Sequence, residues 1–389
     1  MKELKVGIIG IGNMGSTHAK SIYEGKINRL KLVAVCDIDK TKLNNAKEKF
    51  PEVLTFEDFN ELLNSKEVDA VIIATPHFLH TEIAIKAFEA GLHVLTEKPA
   101  GVRASDVLKM NEAAEKSNKI FGIMWNQRTN PLFQKAKELV ENGTLGSMKR
   151  LVWIITNWYR TQNYYDSASW RATWSGEGGG VLLNQAPHNL DLWQWIFGMP
   201  DTIYATCDVG KWHNIEVEDD ATIIGYYKNG ATATFITSTG EYPGTNRLEI
   251  SGSKGKMILE KGTLTLILSD EDEREFCFSA SDGRPNINLT KTVIEQTEKE
   301  TAHNGILQNF TDAVLDGAPL LASGFEGIKE ITLSNAAYLS AWTGKKVELP
   351  LDCESFDAEL EKRIATSMGT RSVSEQIAAG QSSRWQVNW

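Results

Sequence analysis

The glycine-rich segment GIGNMG, at residues 10–15, is the sequence feature that most constrains the fold of this chain. It follows a short apolar run, LKVGII (4–9), whose β-branched residues are typical of a buried parallel strand. The residues after it (13–25) suit a helix. A G-x-G-x-x-G pattern between a strand and a helix is the fingerprint of a dinucleotide-binding loop. The pattern therefore predicts a nucleotide site at the first turn of an α/β sheet.

The nucleotide contacts predicted in this part of the chain are Gly10, Gly12, Asn13, Met14, Gly15 and Asp37. Gly10 allows a tight turn, Gly12 lets the backbone approach a pyrophosphate, and Gly15 lets the helix pack closely on the strand. The helix N-terminus offers N–H groups to the anion. Asp37 ends the second strand, where a carboxylate binds the adenosine ribose and repels a 2′-phosphate. NAD is therefore favoured over NADP. The alternative is a glycine turn beside an unrelated surface aspartate.

Strands and helices alternate as far as residue 125, which predicts a doubly wound parallel sheet, a Rossmann domain, over residues 1–125. The later segments alternate apolar and polar residues and turn at KNG and SKG, which are antiparallel signals. We expect a second α/β domain with a large, mostly antiparallel sheet over residues 126–350. Residues 351–389 are expected to form a polar tail.

The composition is that of an ordinary globular protein, with 41% hydrophobic and 24% charged residues. The net charge of −10 argues against nucleic acid or an anionic membrane as a partner. The four cysteines have no paired spacing, and no other cluster has metal-binding spacing, so neither a disulfide framework nor a metal site is expected. Because the sequence has no membrane-length apolar stretch and no signal-peptide pattern, we expect a cytoplasmic protein.

A candidate catalytic residue lies in TEKPAG (96–101), which follows a strand expected in the same parallel sheet. The carboxyl end of such a strand faces the cofactor crevice. Lys98 can there hydrogen-bond both a substrate hydroxyl and the nicotinamide ribose, and Glu97 is grouped with the cofactor contacts. The alternative is a solvated lysine in a loop.

A second candidate lies in NQAPHNLD, where Pro187 suits the first turn of a helix. The helical period then places His188 and Asp191 on one face. Asn184 lies one turn earlier and is a candidate cap. These residues alone leave two interpretations of His188 open: a catalytic acid–base group, or a hydrogen-bonded histidine at a helix start.

Six motifs occur in the order and spacing of the Gfo/Idh/MocA oxidoreductases, the relatives of glucose–fructose oxidoreductase and inositol dehydrogenase, which the chain resembles over roughly residues 3–352. They are GIGNMG, ATPHFLH (74–80), EKP, WNQRTNP (125–131), GGGVLLNQAPHNLD (178–191) and AHNGILQNFTDAV (302–314). The resemblance implies an NAD(P)-binding Rossmann domain and an α/β domain whose open sheet forms homo-oligomers. It also implies oxidation or reduction of a sugar, cyclitol or related polyol.

The resemblance implies roles for single residues as well. Lys98 matches the family's EKP lysine, and His188 matches its active-site histidine. Thr75, Pro76 and His80 match the segment that passes the nicotinamide end of the cofactor. Within the family, residues 159–195 look closest to members that act on glucosides and anhydrosugars, often at carbon 3.

Aromatic residues and two arginines are concentrated in residues 153–174, and aromatic rings suit the C–H faces of pyranoses. Trp170 and Arg171 match a WR pattern that the family carries near nicotinamide and substrate. The predicted substrate contacts are Lys98, Trp125, Arg160, Tyr164, Trp170, Asn184, His188 and His303, and Asn126 and Arg171 are predicted to contact the cofactor. The alternatives for these residues are core packing, a strand edge or helix capping.

The chain departs from the family at Asn184, where members commonly carry aspartate. A carboxylate beside a lysine favours the charged ammonium, whereas an amide supplies no such charge. Either a buried Lys98 acts as the base, or His188 accepts the proton while Lys98 orients the hydroxyl. We favour the second division, with Asn184 bound to a neighbouring hydroxyl or to His188.

The sequence therefore predicts an NAD-dependent dehydrogenase that moves hydride between a ring carbon of a sugar, glycoside or cyclitol and nicotinamide. Two alternatives remain at this point. One is a non-catalytic NAD-binding sensor or partner subunit. The other is an enzyme of the same family that uses NAD in a redox-neutral glycoside cleavage.

Overall fold

A computed structural model describes residues 2–284, 287–297 and 299–368. The described chain forms two compact units. The first contains residues 2–129, 176–178 and 300–331, and the second contains the described residues of 130–175, 179–299 and 332–368.

The first unit is built on a six-stranded parallel sheet in the order β3-β2-β1-β4-β5-β6. This is the strand order of a dinucleotide-binding Rossmann fold, so the predicted fold class is confirmed. Its elements are β1 (Leu4–Ile9), α1 (Asn13–Tyr23), β2 (Leu30–Cys36), α2 (Lys40–Lys49), β3 (Leu54–Phe56), α3 (Phe59–Asn64), β4 (Ala70–Ile73), α4 (Phe78–Glu89), β5 (His93–Thr96), α5 (Ala104–Ser117), β6 (Phe121–Ile123), a 3₁₀ turn (Asn126–Thr129) and α10 (Ala302–Asp316).

The second unit is built on a nine-stranded sheet in the order β14-β13-β12-β11-β7-β10-β9-β8-β15. β7 and β10 pair in parallel, and the other described neighbours pair antiparallel, which confirms the mostly antiparallel prediction. Its elements are α6 (Pro131–Glu141), β7 (Met148–Ile155), α7 (Gln162–Tyr165), α8 (Pro187–Phe197), β8 (Thr202–Val209), β9 (Glu218–Tyr226), β10 (Thr232–Ser238), β11 (Asn246–Gly252), β12 (Gly255–Glu260), β13 (Thr263–Ser269), α9 (Glu273–Ser279), β14 (Leu289–Glu295), the part of α11 (Gly327–Thr343) from residue 332 onward, β15 (Val347–Glu348) and α12 (Cys353–Thr366).

The compact units differ from the linear division predicted at residue 125. Residues 126–129, 176–178 and 300–331 group with the N-terminal segment. Hydrogen bonds show why α10 belongs there: the Asn28 amide donates to Gln308 Oε1 at 2.8 Å, and Arg29 Nη2 donates to Asp312 Oδ1 at 2.9 Å. A linear reading of the sequence assigns such a returning segment to its neighbours along the chain.

The first half of the predicted tail contains a helix, α12. Asp352 begins this helix, and its side chain accepts a hydrogen bond from the Ser355 amide. Phe356 and Leu360 are buried. Residues 369–389 of the predicted tail lie outside the described residues. None of the helices in the described part of the chain is long and apolar enough to cross a membrane.

The turn that leads into α8 is held by a buried carboxylate at the start of β9. Glu218 Oε1 accepts hydrogen bonds from Tyr338 Oη at 2.7 Å and from the Leu182 amide at 2.9 Å, and Oε2 accepts from the Gly180 amide at 2.9 Å. A Cβ at position 180 would lie 1.9 Å from the Glu218 carbonyl oxygen, so glycine is required there. Burial raises the pKa of Glu218 to about 7, although the three donors oppose the shift.

This raised pKa predicts a pH-dependent contribution to stability. The folded protein binds the Glu218 proton more tightly than the unfolded chain, so the contribution is full below about pH 4.5 and is lost as the pH rises through about 7. A shift of this size corresponds to about 3 kcal/mol. In urea unfolding, the stability advantage of the wild type over Glu218→Gln should therefore shrink by that order between pH 5 and pH 8. The exposed Glu275→Gln should show no such change, and a constant advantage for Glu218 would contradict the assignment.

Candidate active site

Five predicted cofactor contacts lie just after strands of the parallel sheet, at its carboxyl edge. Gly10 follows β1, Asp37 follows β2, Thr75 follows β4, Lys98 follows β5 and Asn126 follows β6. The strand order reverses between β1 and β4, and open α/β sheets bind ligands at this position. The parallel sheet therefore brings together residues that are far apart in the sequence.

The glycine-rich loop has the geometry of a nucleotide cradle. Gly10 has a φ of +87°, and a Cβ there would lie 2.6 Å from the Ala74 carbonyl oxygen. A Cβ on Gly15 would lie 1.8 Å from the Gly10 carbonyl oxygen, so the fold itself requires these two glycines. A Cβ on Gly12, by contrast, would meet no described atom within 4 Å. A dinucleotide-binding loop needs such open space at its second glycine, and Gly12 stays the predicted phosphate contact.

Asp37 is nearly buried and supports the loop directly. Its Oδ2 accepts a hydrogen bond from the Ile11 amide at 2.9 Å, and Oδ1 accepts from the Asp39 amide at 2.9 Å. Lys42 Nζ lies 3.5 Å from the carboxylate. The carboxylate thus fixes the glycine loop to the end of β2, in addition to the ribose contact predicted for it.

The segment after β4 and the turn after β6 contain polar atoms suited to a ligand. Thr75 Oγ1 and Asn126 Oδ1 are both buried, and neither has a hydrogen-bond partner among the described residues. Pro76 follows Thr75 immediately. Buried polar atoms normally have partners. Together with the glycine cradle, these atoms fit a bound dinucleotide at this edge of the sheet.

His80 is buried on α4, where its ring lies between two backbone carbonyl groups. Nδ1 lies 2.8 Å from the Pro99 carbonyl oxygen and Nε2 lies 2.8 Å from the Thr75 carbonyl oxygen. Burial lowers the pKa of His80. His80 therefore lies between the segment after β4 and the EKP turn, and its predicted cofactor contact stays a prediction.

A buried ion pair lies at the base of the EKP turn. His18 Nε2 on α1 lies 2.7 Å from Glu97 Oε1, and both side chains are almost fully buried. Burial raises the pKa of Glu97, but the hydrogen bond and charge of His18 outweigh burial and lower it to about 2. Glu97 Oε2 also accepts a hydrogen bond from the Lys98 amide at 3.2 Å. The Glu97 carboxylate therefore fixes the backbone amide of Lys98, the candidate catalytic residue.

His303, near the start of α10, completes this cluster. Its ring centroid lies 5.6 Å from that of His18. Burial lowers the pKa of His303 to about 4, although the charge of Glu97 opposes the shift. His303 is therefore neutral near pH 7, when its imidazole can both donate and accept a hydrogen bond. The predicted substrate contact lies beside Glu97 and Lys98, within the same unit.

α8 begins at Pro187, as the sequence predicts, and His188 is half-buried in its first turn. Leu190, Asp191 and Trp193 are buried. The cap prediction for Asn184 is wrong: Ala186 occupies the N-cap position, and no described side chain caps the helix. The residues before α8 form a tight turn, in which the amide of Asn184 donates to the Gly180 carbonyl oxygen at 2.9 Å, so the turn separates Asn184 from the helix start.

A cluster of arginines and aromatic rings surrounds Tyr164 in the second unit. Arg171 Nη1 donates to Tyr164 Oη at 2.7 Å, and the Arg171 guanidinium lies over the Tyr164 ring at 4.5 Å and the Trp170 ring at 4.7 Å. Arg160 lies over Tyr164 from another direction at 5.1 Å. Gln185 Nε2 also donates to Tyr164 Oη, at 3.2 Å. The structure therefore brings four predicted contacts together and adds Gln185.

Burial bears on one predicted substrate contact, Trp125, and on two residues that the sequence did not reveal, His18 and Glu218. Trp125 is fully buried, and its predicted substrate contact stays a prediction. His18 and Glu218 were missed by sequence reasoning. For His18 a signal existed: it lies three residues after Gly15 on the buried face of α1. Glu218 had no local signal, because its partners are distant in the sequence.

Two family models match this chain. The model of an oxidoreductase family with an NAD-binding Rossmann fold matches residues 4–124, and the model of the GFO/IDH/MocA C-terminal domain matches residues 133–258. The chain belongs to the Gfo/Idh/MocA oxidoreductase family. As a member of this family it is an NAD-dependent oxidoreductase, and the loop at residues 10–15 lies within the matched Rossmann segment.

Other Gfo/Idh/MocA proteins resemble this chain over most of their length. The myo-inositol 2-dehydrogenase of Thermotoga maritima is 27% identical over 355 residues, which cover 89% of this chain and 98% of the relative. The WlbA dehydrogenase of Chromobacterium violaceum, solved with NADH and UDP-GlcNAcA, is 28% identical with a TM-score of 0.76 and covers 90% of this chain and 97% of its own. The WlbA dehydrogenase of Bordetella pertussis is 26% identical with a TM-score of 0.75 and covers 90% and 100%.

The glycine geometry predicts different outcomes for two similar substitutions. Gly12→Ala should fold with wild-type stability, because its Cβ meets open space, yet it should weaken NAD binding at least about tenfold by blocking the phosphates. Gly15→Ala should lower the unfolding free energy by several kcal/mol, because its Cβ collides with the Gly10 carbonyl. Calorimetric NAD titration and urea unfolding of both variants measure the difference. Equal NAD affinity for Gly12→Ala and the wild type would refute the cradle.

The His18–Glu97 pair should show strong energetic coupling. Removing one member leaves a buried polar group without its hydrogen-bond partner, so His18→Leu or Glu97→Met should each cost about 1–3 kcal/mol, and the double variant should cost clearly less than their sum. Because the pKa of Glu97 is lowered, its contribution is full above about pH 4.5 and is lost as the pH falls toward 2.

Urea unfolding of the four proteins at pH 7 measures this coupling. The exposed pair Glu82 and Lys86 on α4 is the matched control and should couple by less than about 0.5 kcal/mol. If the free-energy costs of His18→Leu and Glu97→Met were additive to within about 0.5 kcal/mol, the two residues would not act as a pair.

Proposed function

We propose that this protein oxidises a ring hydroxyl of a sugar, glycoside or cyclitol with NAD, or catalyses the reverse reduction. The observation that carries the proposal is Lys98, which is fixed through the Glu97 carboxylate at the carboxyl end of β5, in the same sheet as the loop of residues 10–15. This position supports the proposal, because open α/β sheets bind their ligands beside the carboxyl ends of the strands.

The relatives support this substrate class. The Thermotoga maritima relative is a myo-inositol 2-dehydrogenase, and the Chromobacterium violaceum relative was solved with a sugar nucleotide. Tyr164, Trp170, Arg160 and Arg171 supply ring faces and guanidinium donors of the kind that bind pyranoses. The finer proposal is a glucoside or anhydrosugar, oxidised at carbon 3.

The reaction separates a hydride from a proton. NAD, when bound, would supply the acceptor for the hydride that leaves the carbinol carbon. The hydroxyl proton passes to a protein base, for which we propose His188, while Lys98 orients the hydroxyl. Asn184 supplies an amide where a family carboxylate commonly stands, and therefore adds no negative charge to this proton path. Asp37 favours NAD over NADP, because its carboxylate repels a 2′-phosphate.

We propose that the protein works in the cytoplasm, on small molecules rather than nucleic acid, and that copies associate through the sheet of the second unit. The oligomer is testable by light scattering.

The direct test is a substrate panel. Purified protein and NAD are incubated with myo-inositol, methyl glucosides, levoglucosan and UDP-sugars, and NADH formation is followed by absorbance. NMR of the product then identifies the oxidised carbon. A keto-sugar acceptor is included, because a retained cofactor would otherwise hide turnover. Tight NAD binding with no turnover anywhere in the panel would favour a non-catalytic sensor, and glycoside cleavage without net NADH would favour a redox-neutral enzyme.

Variants of the proposed catalytic residues sharpen this test. Lys98→Ala and His188→Ala should each lower kcat by about 10²–10⁴-fold, because a positioned acid–base group contributes about that much. NAD affinity should persist in His188→Ala, and the exposed Lys116→Ala is the control. Asn184→Asp should move the pH–rate profile by adding a charge near the proton path. Wild-type turnover by both alanine variants would remove these residues from the mechanism, and an unmoved profile would place Asn184 outside it.

A further inference from the structure

The segment of residues 170–175 is held in a strained conformation. It contains Trp170 and Arg171, which the proposed function assigns to substrate and cofactor. Ala172 has a φ of +58°, a left-handed conformation that costs a non-glycine residue about 1 kcal/mol. Thr173 Oγ1 donates back to the Trp170 carbonyl oxygen at 2.9 Å. Such a conformation persists only where surrounding contacts fix it.

Those contacts come from the C-terminal end of α12. Ser175 N donates to Ser367 Oγ at 3.2 Å, and the two serine hydroxyls are 3.0 Å apart. Ser367 Oγ in turn donates to Glu216 Oε1 at 3.0 Å. A hydroxyl has one donor and two acceptor sites, and a carboxylate only accepts, so the Ser175 hydroxyl must be the donor to Ser367. Ser367 therefore uses its full hydrogen-bonding capacity here.

Glu216 connects the same two segments a second time. Its Oε2 accepts a hydrogen bond from the Met368 amide at 3.1 Å, and its own amide donates to the Ala172 carbonyl oxygen at 3.4 Å. One side of Glu216 thus binds the end of α12 and the other binds the strained residue. We call Glu216, Ser367 and the Met368 amide the clasp.

α12 itself is anchored by aromatic stacking. Trp342 stacks on Phe356 at 5.6 Å, and the Arg363 guanidinium lies 3.8 Å from the Trp342 ring centroid. Trp174, within the strained segment, packs edge-on against Trp342 at 5.6 Å and against Tyr338 at 5.7 Å. Residues 170–175 and α12 therefore pack against the same aromatic cluster. A shift of the C-terminal end of α12 would accordingly also displace Ser175.

We infer that the clasp is a positioning element for the substrate: Ser367 and Glu216 set the conformation in which residues 170–175 present Trp170 and Arg171. The substrate role rests on the proposed function, whereas the hydrogen bonds between the two segments do not depend on it. The C-terminal helix lies beyond the matched C-terminal domain at residues 133–258. The clasp therefore makes a part of the chain outside that domain contribute to substrate affinity.

The test replaces one hydroxyl in the full-length protein. Ser367→Ala should raise KM for the best substrate of the panel about tenfold, since a hydrogen bond to a charged group is lost, with kcat changed far less and KM for NAD unchanged. Ser367→Thr, which keeps the hydroxyl, should restore most of the affinity. Glu216→Gln should fall between. Thr366→Ala, the exposed neighbouring hydroxyl, is the matched control and should behave as wild type.

Hydrogen–deuterium exchange separates this inference from the proposed function. Without any substrate, Ser367→Ala should speed amide exchange in residues 170–175, and Thr366→Ala should not. An unchanged exchange rate would overturn the clasp whatever the enzyme does. Faster exchange with an unchanged substrate KM, or a parallel rise in KM for NAD, would overturn its positioning role. Absence of turnover by the wild type would instead refute the proposed function, and exchange would then decide on the clasp alone.

Discussion

Two buried carboxylates hold the backbone that carries the proposed catalytic groups. Glu97 lies under Lys98, and Glu218 fixes the turn before His188. Burial disfavours the charge of both, yet their pKa values move in opposite directions, to about 2 and about 7. The difference lies in the partners: Glu97 has a histidine at 2.7 Å, whereas the described donors to Glu218 are neutral. One carboxylate thus keeps its charge, and the other titrates near neutrality.

Much of the fold was predictable because its signals are local. The apolar run of β1, the glycine turn and the spacing to Asp37 all lie within the first 37 residues. Buried parallel strands and antiparallel hairpins have different residue patterns, so the change from one to the other also predicted two kinds of sheet. β3 and α3 were missed, because three and six residues are too short to show a period.

The supporting contacts were not predictable, since they join residues that no local pattern connects. His18 and Glu97 are separated by 79 positions, Glu218 and Tyr338 by 120, and Ser175 and Ser367 by 192. The sequence showed which residue types carry chemistry but not which buried groups orient them. Asn184 illustrates the limit: its spacing suggested a helix cap, but the preceding turn placed Ala186 in that position.

The glycines of residues 10–15 are constrained in two different ways. Gly10 and Gly15 are fixed by collisions with the protein's own backbone, and Gly12 faces open space. A descendant of this protein that no longer bound the nucleotide would still need Gly10 and Gly15, because larger residues there would destabilise the fold. It would be free to change Gly12 at no cost to the fold. The residue at position 12 therefore indicates whether such a descendant still binds a dinucleotide.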